Sequence, residues 1–161
     1  MIKLYHGSNV PIEAIDLDKS HKGKDFGCGF YLNPNKSQAT EMAQRTALRM
    51  GYGEAIVSTF IFDEALLKGD SPLNVKIFSG YSKEWAEFVL LNRSNASDRP
   101  AHGYDVVVGP IADDTVGLQM RRFTQGYISI ETMIDELKFH IPAIQYFFGT
   151  EKAISFLKKA Q

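Results

Sequence analysis

The sequence predicts an α+β fold in one domain that spans residues 1–161. The chain has 161 residues, a length typical of a single domain that can bury its own core. Its 44% hydrophobic and 12% aromatic residues indicate a globular protein. Segments with strand and helix patterns follow one another in an irregular order, whereas a doubly wound fold requires regular alternation.

In the first half of the chain, three strands and one helix are predicted around a polar loop, and the second of these strands is the glycine-broken apolar run of residues 26–32. Residues 2–6 alternate apolar and polar side chains as a strand does, and residues 9–25 are typical of a surface loop. Residues 37–50 predict a helix that ends at the glycines following it, and residues 55–62 predict a strand rich in β-branched and aromatic residues. The apolar stripe of the helix consists of Ala39, Met42, Ala43, Thr46, Ala47 and Met50.

The middle of the second half continues this mixed pattern. Residues 75–78 and 104–108 predict strands, and residues 82–93 predict a helix whose aromatic face points inward. Asp113 or Asp114 is expected to cap a helix over residues 114–123.

The C-terminal part predicts two more helices around one strand. Ser129 caps the first helix, residues 143–148 form the strand, and Thr150 caps the second helix. The apolar stripes of these helices are Ile130, Met133, Ile134, Leu137 and Ile141 in the first, and Ala153, Ile154 and Leu157 in the second.

Charge and composition argue against several classes of function. Eighteen basic and nineteen acidic residues give a net charge of −1, whereas a general nucleic-acid or anionic-membrane binder usually has a basic excess. No apolar run approaches the length of a membrane span, and the N-terminus lacks a secretory signal, so we expect a cytoplasmic protein. Cys28 is the only cysteine, and the histidines have no metal-ligand spacing, so we predict neither a disulfide nor a metal site.

Two motifs near the N-terminus combine glycine with residues that can contact a ligand. His6 at a strand end beside Gly7 could direct a ring nitrogen into a cleft, although a histidine bonded to a backbone carbonyl is the commoner arrangement. The run Gly27-Cys28-Gly29-Phe30-Tyr31 would suit a planar ligand stacked on a ring. Ordinary aromatic core around a bulge is the alternative.

Gln145 is the unusual residue of the last predicted strand, because both faces of that strand are otherwise apolar. A buried amide needs hydrogen-bond partners, which either a ligand or the backbone can supply.

Other polar residues have structural interpretations that we prefer. Asp105, Asp113 and Asp114 could bind a metal or act as a base, but strand-entry contacts and helix caps are commoner roles. Arg93 follows the aromatic helix face and could contact an anion.

Five segments together carry a resemblance to a known family. They are LYHGS, KDFGCGFYL, EWAEFVLLNR, YDVVVGPIADD and QYFFGTEKAISFL. With them the chain resembles an uncharacterised bacterial family that is similar to the ADP-ribosyltransferase superfamily, of the histidine–tyrosine–glutamate type that includes diphtheria toxin and poly-ADP-ribose polymerase. The resemblance runs nearly end to end and implies a split β-sheet core with flanking helices.

The resemblance also implies an NAD site. His6 matches the histidine that bonds a hydroxyl of the nicotinamide ribose, the Gly7 backbone matches the group that holds the carboxamide, and Tyr31 matches the tyrosine that packs on the nicotinamide ring. The predicted NAD-binding surface further includes Ser8, Gly29 and Phe30. No metal is implied.

Gln145 lies where the superfamily has its catalytic glutamate, and this is the main departure from the pattern. Glutamine keeps a hydrogen bond to ribose but has no charge and cannot accept a proton, which we expect to slow the reaction by about 10- to 100-fold or more. Asp113, Asp114 and Glu131 are the other carboxylates considered, and nothing in their spacing places them in the cleft. The cations available for the diphosphate of NAD are Lys19, Lys22, Lys24, Arg45 and Arg49.

Two functions therefore remain open. The first is an NAD-dependent ADP-ribosyltransferase-like protein that modifies an unknown protein or nucleic-acid acceptor. The alternative is a catalytically weak or inactive module that binds NAD, ADP-ribose or a cognate partner protein, because Gln145 replaces the expected glutamate.

Overall fold

The computed structural model describes residues 1–160 and has the predicted α+β architecture. Within these residues, seven strands and five α-helices follow one another in an irregular order. The strands are β1 (Ile2–Ser8), β2 (Phe30–Leu32), β3 (Ile56–Phe62), β4 (Val75–Ile77), β5 (Val106–Pro110), β6 (Ile144–Phe148) and β7 (Lys158–Lys159). The helices are α1 (Lys36–Met50), α2 (Lys83–Ser94), α3 (Asp114–Thr124), α4 (Ile130–Leu137) and α5 (Glu151–Ile154).

The strands form two sheets. One is three-stranded and antiparallel in the order β1-β3-β7, and the other is four-stranded in the order β2-β6-β5-β4 with one parallel pair, β4 and β5. Within the described residues, a single bridge between Tyr5 and Asn33 joins β1 of the first sheet to β2 of the second.

The four-stranded sheet separates two apolar cores, because successive side chains of a strand point to opposite faces. On one face, Phe30 and Phe148 pack against Phe60 and Phe62 of the three-stranded sheet, with ring centroids 5.4 and 5.2 Å apart. On the other face, Phe147 lies in a core built with helices α2, α3 and α4. Each side chain of β2 and β6 therefore lies in one of two distinct environments.

Three predicted helix caps are present. Asp113 caps α3 by accepting the N–H of Val116 at 3.0 Å, which settles the choice between Asp113 and Asp114. Ser129 caps α4 and Thr150 caps α5, each by the same contact with an N–H three residues ahead.

The stripe predicted for α1 is partly wrong. Ala39 and Ala43 are buried, but Met42 and Met50 are 52% and 46% exposed. The helix lies so close to β1 that a Cβ on Gly7 would be 2.0 Å from the carbonyl oxygen of Ala39. Only small side chains fit this contact, so the methionines remain outside it.

The two C-terminal helices are shorter than predicted. Helix α4 ends at Leu137, and Ile141 lies outside it and is 96% exposed. Pro142 disfavours a helical conformation at Ile141. Helix α5 ends at Ile154, and Lys158–Lys159 pairs with β3 as the short strand β7.

The segment 9–25 also differs from the predicted surface loop. It contains a 3-10 turn at Leu17–Lys19, and its two ends, Asn9 and Asp25, are only 6% and 8% exposed.

Candidate functional site

The candidate site lies where β1 separates from β2. Tyr5 exchanges two main-chain hydrogen bonds of 2.8 Å with Asn33, so its peptide groups face β2. In an antiparallel ladder this direction repeats at every second residue. The N–H and C=O of Gly7 therefore also point away from β3, toward the space where β2 no longer pairs with β1.

His6 has one ring nitrogen bonded inside the protein and one that is accessible. Its Nδ1 lies 2.8 Å from the carbonyl oxygen of Tyr31, and because a carbonyl only accepts, Nδ1 bears the proton. Nε2 is then an acceptor with no partner within residues 1–160. Every fully buried side-chain nitrogen or oxygen in this part of the chain has a partner, so Nε2 is not fully buried.

The surroundings of His6 keep its imidazole neutral. Its ring stacks on Phe30 with centroids 4.5 Å apart. Burial lowers the pKa of His6, and the positive charge of Lys24 lowers it further, while the bond to Tyr31 opposes the shift. At neutral pH the histidine can therefore accept a hydrogen bond through Nε2.

The hydroxyl of Tyr31 makes two hydrogen bonds, both with main-chain groups of nearby residues. Its hydroxyl donates to the Gly27 carbonyl at 2.7 Å and accepts the Phe26 N–H at 3.0 Å. The Lys24 ammonium lies over the ring, 4.9 Å from its centroid, and Phe147 contacts it edge-on. Burial raises the pKa of Tyr31 well above its usual value, so the phenol stays protonated.

The glycine-rich run around Cys28 packs against aromatic side chains of the core. Gly29 bonds Ser20 through both its N–H and its C=O, and a Cβ on Gly29 would be 2.2 Å from the Phe147 ring. Phe30 is 9% exposed. Ser8 ends β1 opposite Ile56 and is partly exposed.

Gln145 donates through Nε2 to Oδ2 of Asp25 at 3.0 Å. The same oxygen accepts the N–H of Ala112 at 3.0 Å, and Oδ1 binds Nε and Nη2 of Arg93 at 2.8 and 2.7 Å. The carboxylate at this site is therefore Asp25, a residue that the sequence patterns did not single out. Arg93, considered as a contact for an anionic ligand, is used by Asp25.

The structure brings the three predicted catalytic residues to neighbouring strands, without direct side-chain contacts between them. Tyr31 pairs with Phe147, so Tyr31 and Gln145 lie on the same face of the four-stranded sheet. His6 contacts the opposite face of β2 through Phe30 and reaches only the main chain of Tyr31. Continued register places Gln145 two strand spacings from β1, about 10 Å.

Some of the other predicted polar residues form hydrogen bonds or salt bridges within the chain, and the others form no salt bridge among the described residues. Asp105 has the structural role that we preferred, since it accepts from the N–H of Asn74 at 2.8 Å and from Thr150 at 2.7 Å. Lys19 and Lys22 form salt bridges with Asp16 and Asp98. Within residues 1–160, no salt bridge involves Lys24, Arg45 or Arg49.

Lys24 and Arg49 are close enough to affect each other. Burial lowers the pKa of Lys24, and the charge of Arg49 lowers it further. Lys24, which forms no salt bridge among the described residues, also acts on His6, and its positive charge there favours an anion.

A family comparison covers nearly the same extent of the chain as the resemblance and assigns it to a family of unknown function. The model described as "Protein of unknown function (DUF3990)" matches residues 2–159, almost the entire chain. The chain belongs to the DUF3990 family. Searches of the curated proteins and of the solved structures found no match.

In this DUF3990 chain, the candidate site offers unused hydrogen-bonding groups of both polarities. His6 Nε2 accepts, and the main chain of Gly7 both donates and accepts. Within residues 1–160, no group of three or more His, Cys, Asp or Glu side chains is placed to hold a metal ion. In the same residues, no helix is both long enough and apolar enough to cross a membrane.

Proposed function

We propose that the chain is a cytoplasmic, NAD-binding, ADP-ribosyltransferase-like protein that transfers ADP-ribose to a protein or nucleic-acid acceptor and releases nicotinamide. The observation that supports this function best is the neutral His6, whose accessible Nε2 lies beside the unpaired edge of Gly7 at the separation of β1 and β2.

The nicotinamide, its ribose and the diphosphate of NAD each have a complementary group near this edge. A ribose hydroxyl donates to Nε2 of His6, and the nicotinamide carboxamide pairs with the N–H and C=O of Gly7. The diphosphate lies near Lys24 and Arg49, which form no salt bridges among the described residues. The positive nicotinamide ring approaches Tyr31, and Lys24 moves from the phenol face toward the diphosphate to admit it.

The reaction breaks the bond between the ribose C1′ and the pyridine nitrogen. The bonding electron pair goes to that nitrogen, so nicotinamide leaves neutral and positive charge develops on the ribose. A nucleophilic atom of the acceptor then bonds C1′ and loses its proton to water. An amide at position 145 can bond the ribose but cannot take that proton, so we expect slow transfer.

Incubation of the purified protein with NAD labelled in the adenosine part, with and without a cell lysate, tests this proposal. We expect nicotinamide release and label on a lysate component. Protease or nuclease treatment of the labelled material distinguishes a protein from a nucleic-acid acceptor. Absence of both release and labelling would contradict the transferase function.

The amide at position 145 favours a second candidate, a module that binds NAD, ADP-ribose or a cognate partner without turnover. Calorimetry would then show saturable binding of NAD or ADP-ribose, while chromatography shows no nicotinamide. No heat of binding for either nucleotide at millimolar concentration would exclude the nucleotide-binding form of this candidate.

A further inference from the structure

The Asp25 carboxylate is only 8% exposed, and it accepts hydrogen bonds from four donor groups. Arg93 and the Ala112 N–H supply three of them, which would be enough to stabilise a buried carboxylate. The fourth is the Gln145 amide, which comes from a strand 120 residues away in sequence. Since Asp25 is stabilised without this fourth contact, the contact matters chiefly for Gln145.

Asp25 fixes the direction of the Gln145 amide. A carboxylate only accepts hydrogen bonds, so the atom that faces it must be the nitrogen Nε2. The oxygen Oε1 consequently points away from Asp25, and the amide cannot flip without placing two acceptors together. Oε1 has no partner within residues 1–160 and is not fully buried.

The same contact also polarises the amide. A hydrogen bond to a charged acceptor is stronger than a neutral one, and bonds in series strengthen one another by about 10–30%. Electron density moves from the nitrogen toward Oε1 as Nε2–H donates to the carboxylate. Oε1 thus becomes a better acceptor than the oxygen of an isolated glutamine.

We propose that Asp25 is a positioning residue that acts through Gln145, holding Oε1 as the acceptor for a ribose hydroxyl of NAD. This inference rests on the proposed function. It places the carboxylate of Asp25, which is paired with Arg93, one side chain behind the contact with the ribose.

Exchanging the acidic and the amide side chains between positions 25 and 145 tests the proposal. In Gln145→Glu, a second carboxylate faces Asp25 at the 3.0 Å contact, so we expect no gain in nicotinamide release. In Asp25→Asn, the introduced amide no longer fixes that of Gln145, and we expect NAD affinity to fall at least fivefold. In the double variant, the introduced asparagine donates to the introduced glutamate. We expect its affinity to lie within threefold of the original protein and its release to be at least tenfold faster than in Gln145→Glu.

Asp105→Asn is the matched control. Asp105 is also a structural aspartate with several donors, but it does not contact Gln145. Each variant is assessed by thermal unfolding, and affinity is expressed per folded molecule. We expect Asp105→Asn to lose stability and keep NAD affinity. The proposal is overturned if Asp25→Asn keeps its affinity as well, or if Gln145→Glu alone is as active as the double variant.

A measurement without nucleotide separates failure of this inference from failure of the proposed function. In nitrogen-15 NMR spectra, the side-chain NH₂ of Gln145 should exchange with water at least tenfold faster in Asp25→Asn than in the original protein or in Asp105→Asn. If exchange is unchanged, Asp25 does not position Gln145, whatever the protein binds. If exchange responds as expected but the original protein binds no NAD, the positioning holds and the NAD function is wrong.

Discussion

Two polar clusters flank the four-stranded sheet, and they differ in how much hydrogen-bonding capacity remains unused. The closed cluster comprises Asn74, His102, Asp105 and Thr150. The open cluster comprises His6, Gly7, Asp25 and Gln145. The polar groups of the closed cluster bond within the chain. The open cluster leaves Nε2 of His6, Oε1 of Gln145 and the main chain of Gly7 without partners among residues 1–160.

The difference between the two clusters is clearest at their histidines, His102 and His6. Nε2 of His102 donates to the Phe26 carbonyl at 2.8 Å, and its Nδ1 accepts the Tyr104 N–H at 3.1 Å. His6 uses only Nδ1 in this way. Both have a pKa lowered chiefly by burial, so the pKa alone does not distinguish a structural histidine from one that is available to a ligand.

The largest expected effect is a loss of folding stability when Gly7, the main-chain edge of the open cluster, is substituted. In Gly7→Ala, the new Cβ would be 2.0 Å from the carbonyl oxygen of Ala39, and neither backbone can move easily. We expect the free energy of unfolding to fall by about 3 kcal/mol or more in urea denaturation. Gly103→Ala, beside the closed cluster, has open space and should change it by less than about 0.5 kcal/mol. Equal stability of the two variants would show that α1 does not fix this edge.

Removal of the closed histidine should affect stability and leave binding intact. His102→Ala leaves a carbonyl and an N–H without their partner, and each unsatisfied group costs about 1–3 kcal/mol. We expect a loss of about 2–3 kcal/mol in urea denaturation, with unchanged NAD affinity per folded molecule in calorimetry. A selective loss of NAD affinity would mean that the clusters have been assigned the wrong way round.

Removal of the open histidine should affect binding. His6→Ala deletes one neutral hydrogen bond to the ribose, so we expect NAD affinity to fall about tenfold. Calorimetry on the same samples as for His102→Ala gives the comparison. An affinity equal to that of the original protein would remove His6 from the NAD site.

The smallest effect concerns pH. His6 is neutral in the folded protein above its lowered pKa, so NAD affinity should be constant from pH 8 to about 6.5 and decline only as the pH approaches that lower value. Unfolded histidine protonates first, at about 6.5, so the stability contributed by both neutral histidines is present above that pH and is lost as the pH falls toward the folded values. Titration of NAD at several pH values checks this, and affinity that rises on acidification would contradict it.

Local patterns made much of the fold predictable. Alternation identified β1, and a high content of β-branched and aromatic residues identified β3. Short-range capping by Ser129 and Thr150 identified where α4 and α5 begin. Pro142 was a local signal that α4 stops before Ile141. The end of α5 could not be predicted in this way, because the pairing of β7 with β3 joins residues that are distant in sequence.

The candidate site was less predictable because its decisive contacts are distant in sequence. Gln145 was recognisable as a polar residue in an apolar strand, but its partner Asp25 lies in a segment of many charges. Nothing local distinguishes Asp25 from Asp16 or Asp18 until the fold brings Arg93 and Ala112 beside it.

Nitrogen-15 NMR of the imidazole nitrogens during a titration with NAD tests the central claim most directly. If the open cluster binds NAD, the Nε2 signal of His6 should move and saturate as it accepts a hydrogen bond, while both signals of His102 stay in place. A His6 signal that does not respond to saturating NAD would contradict the account.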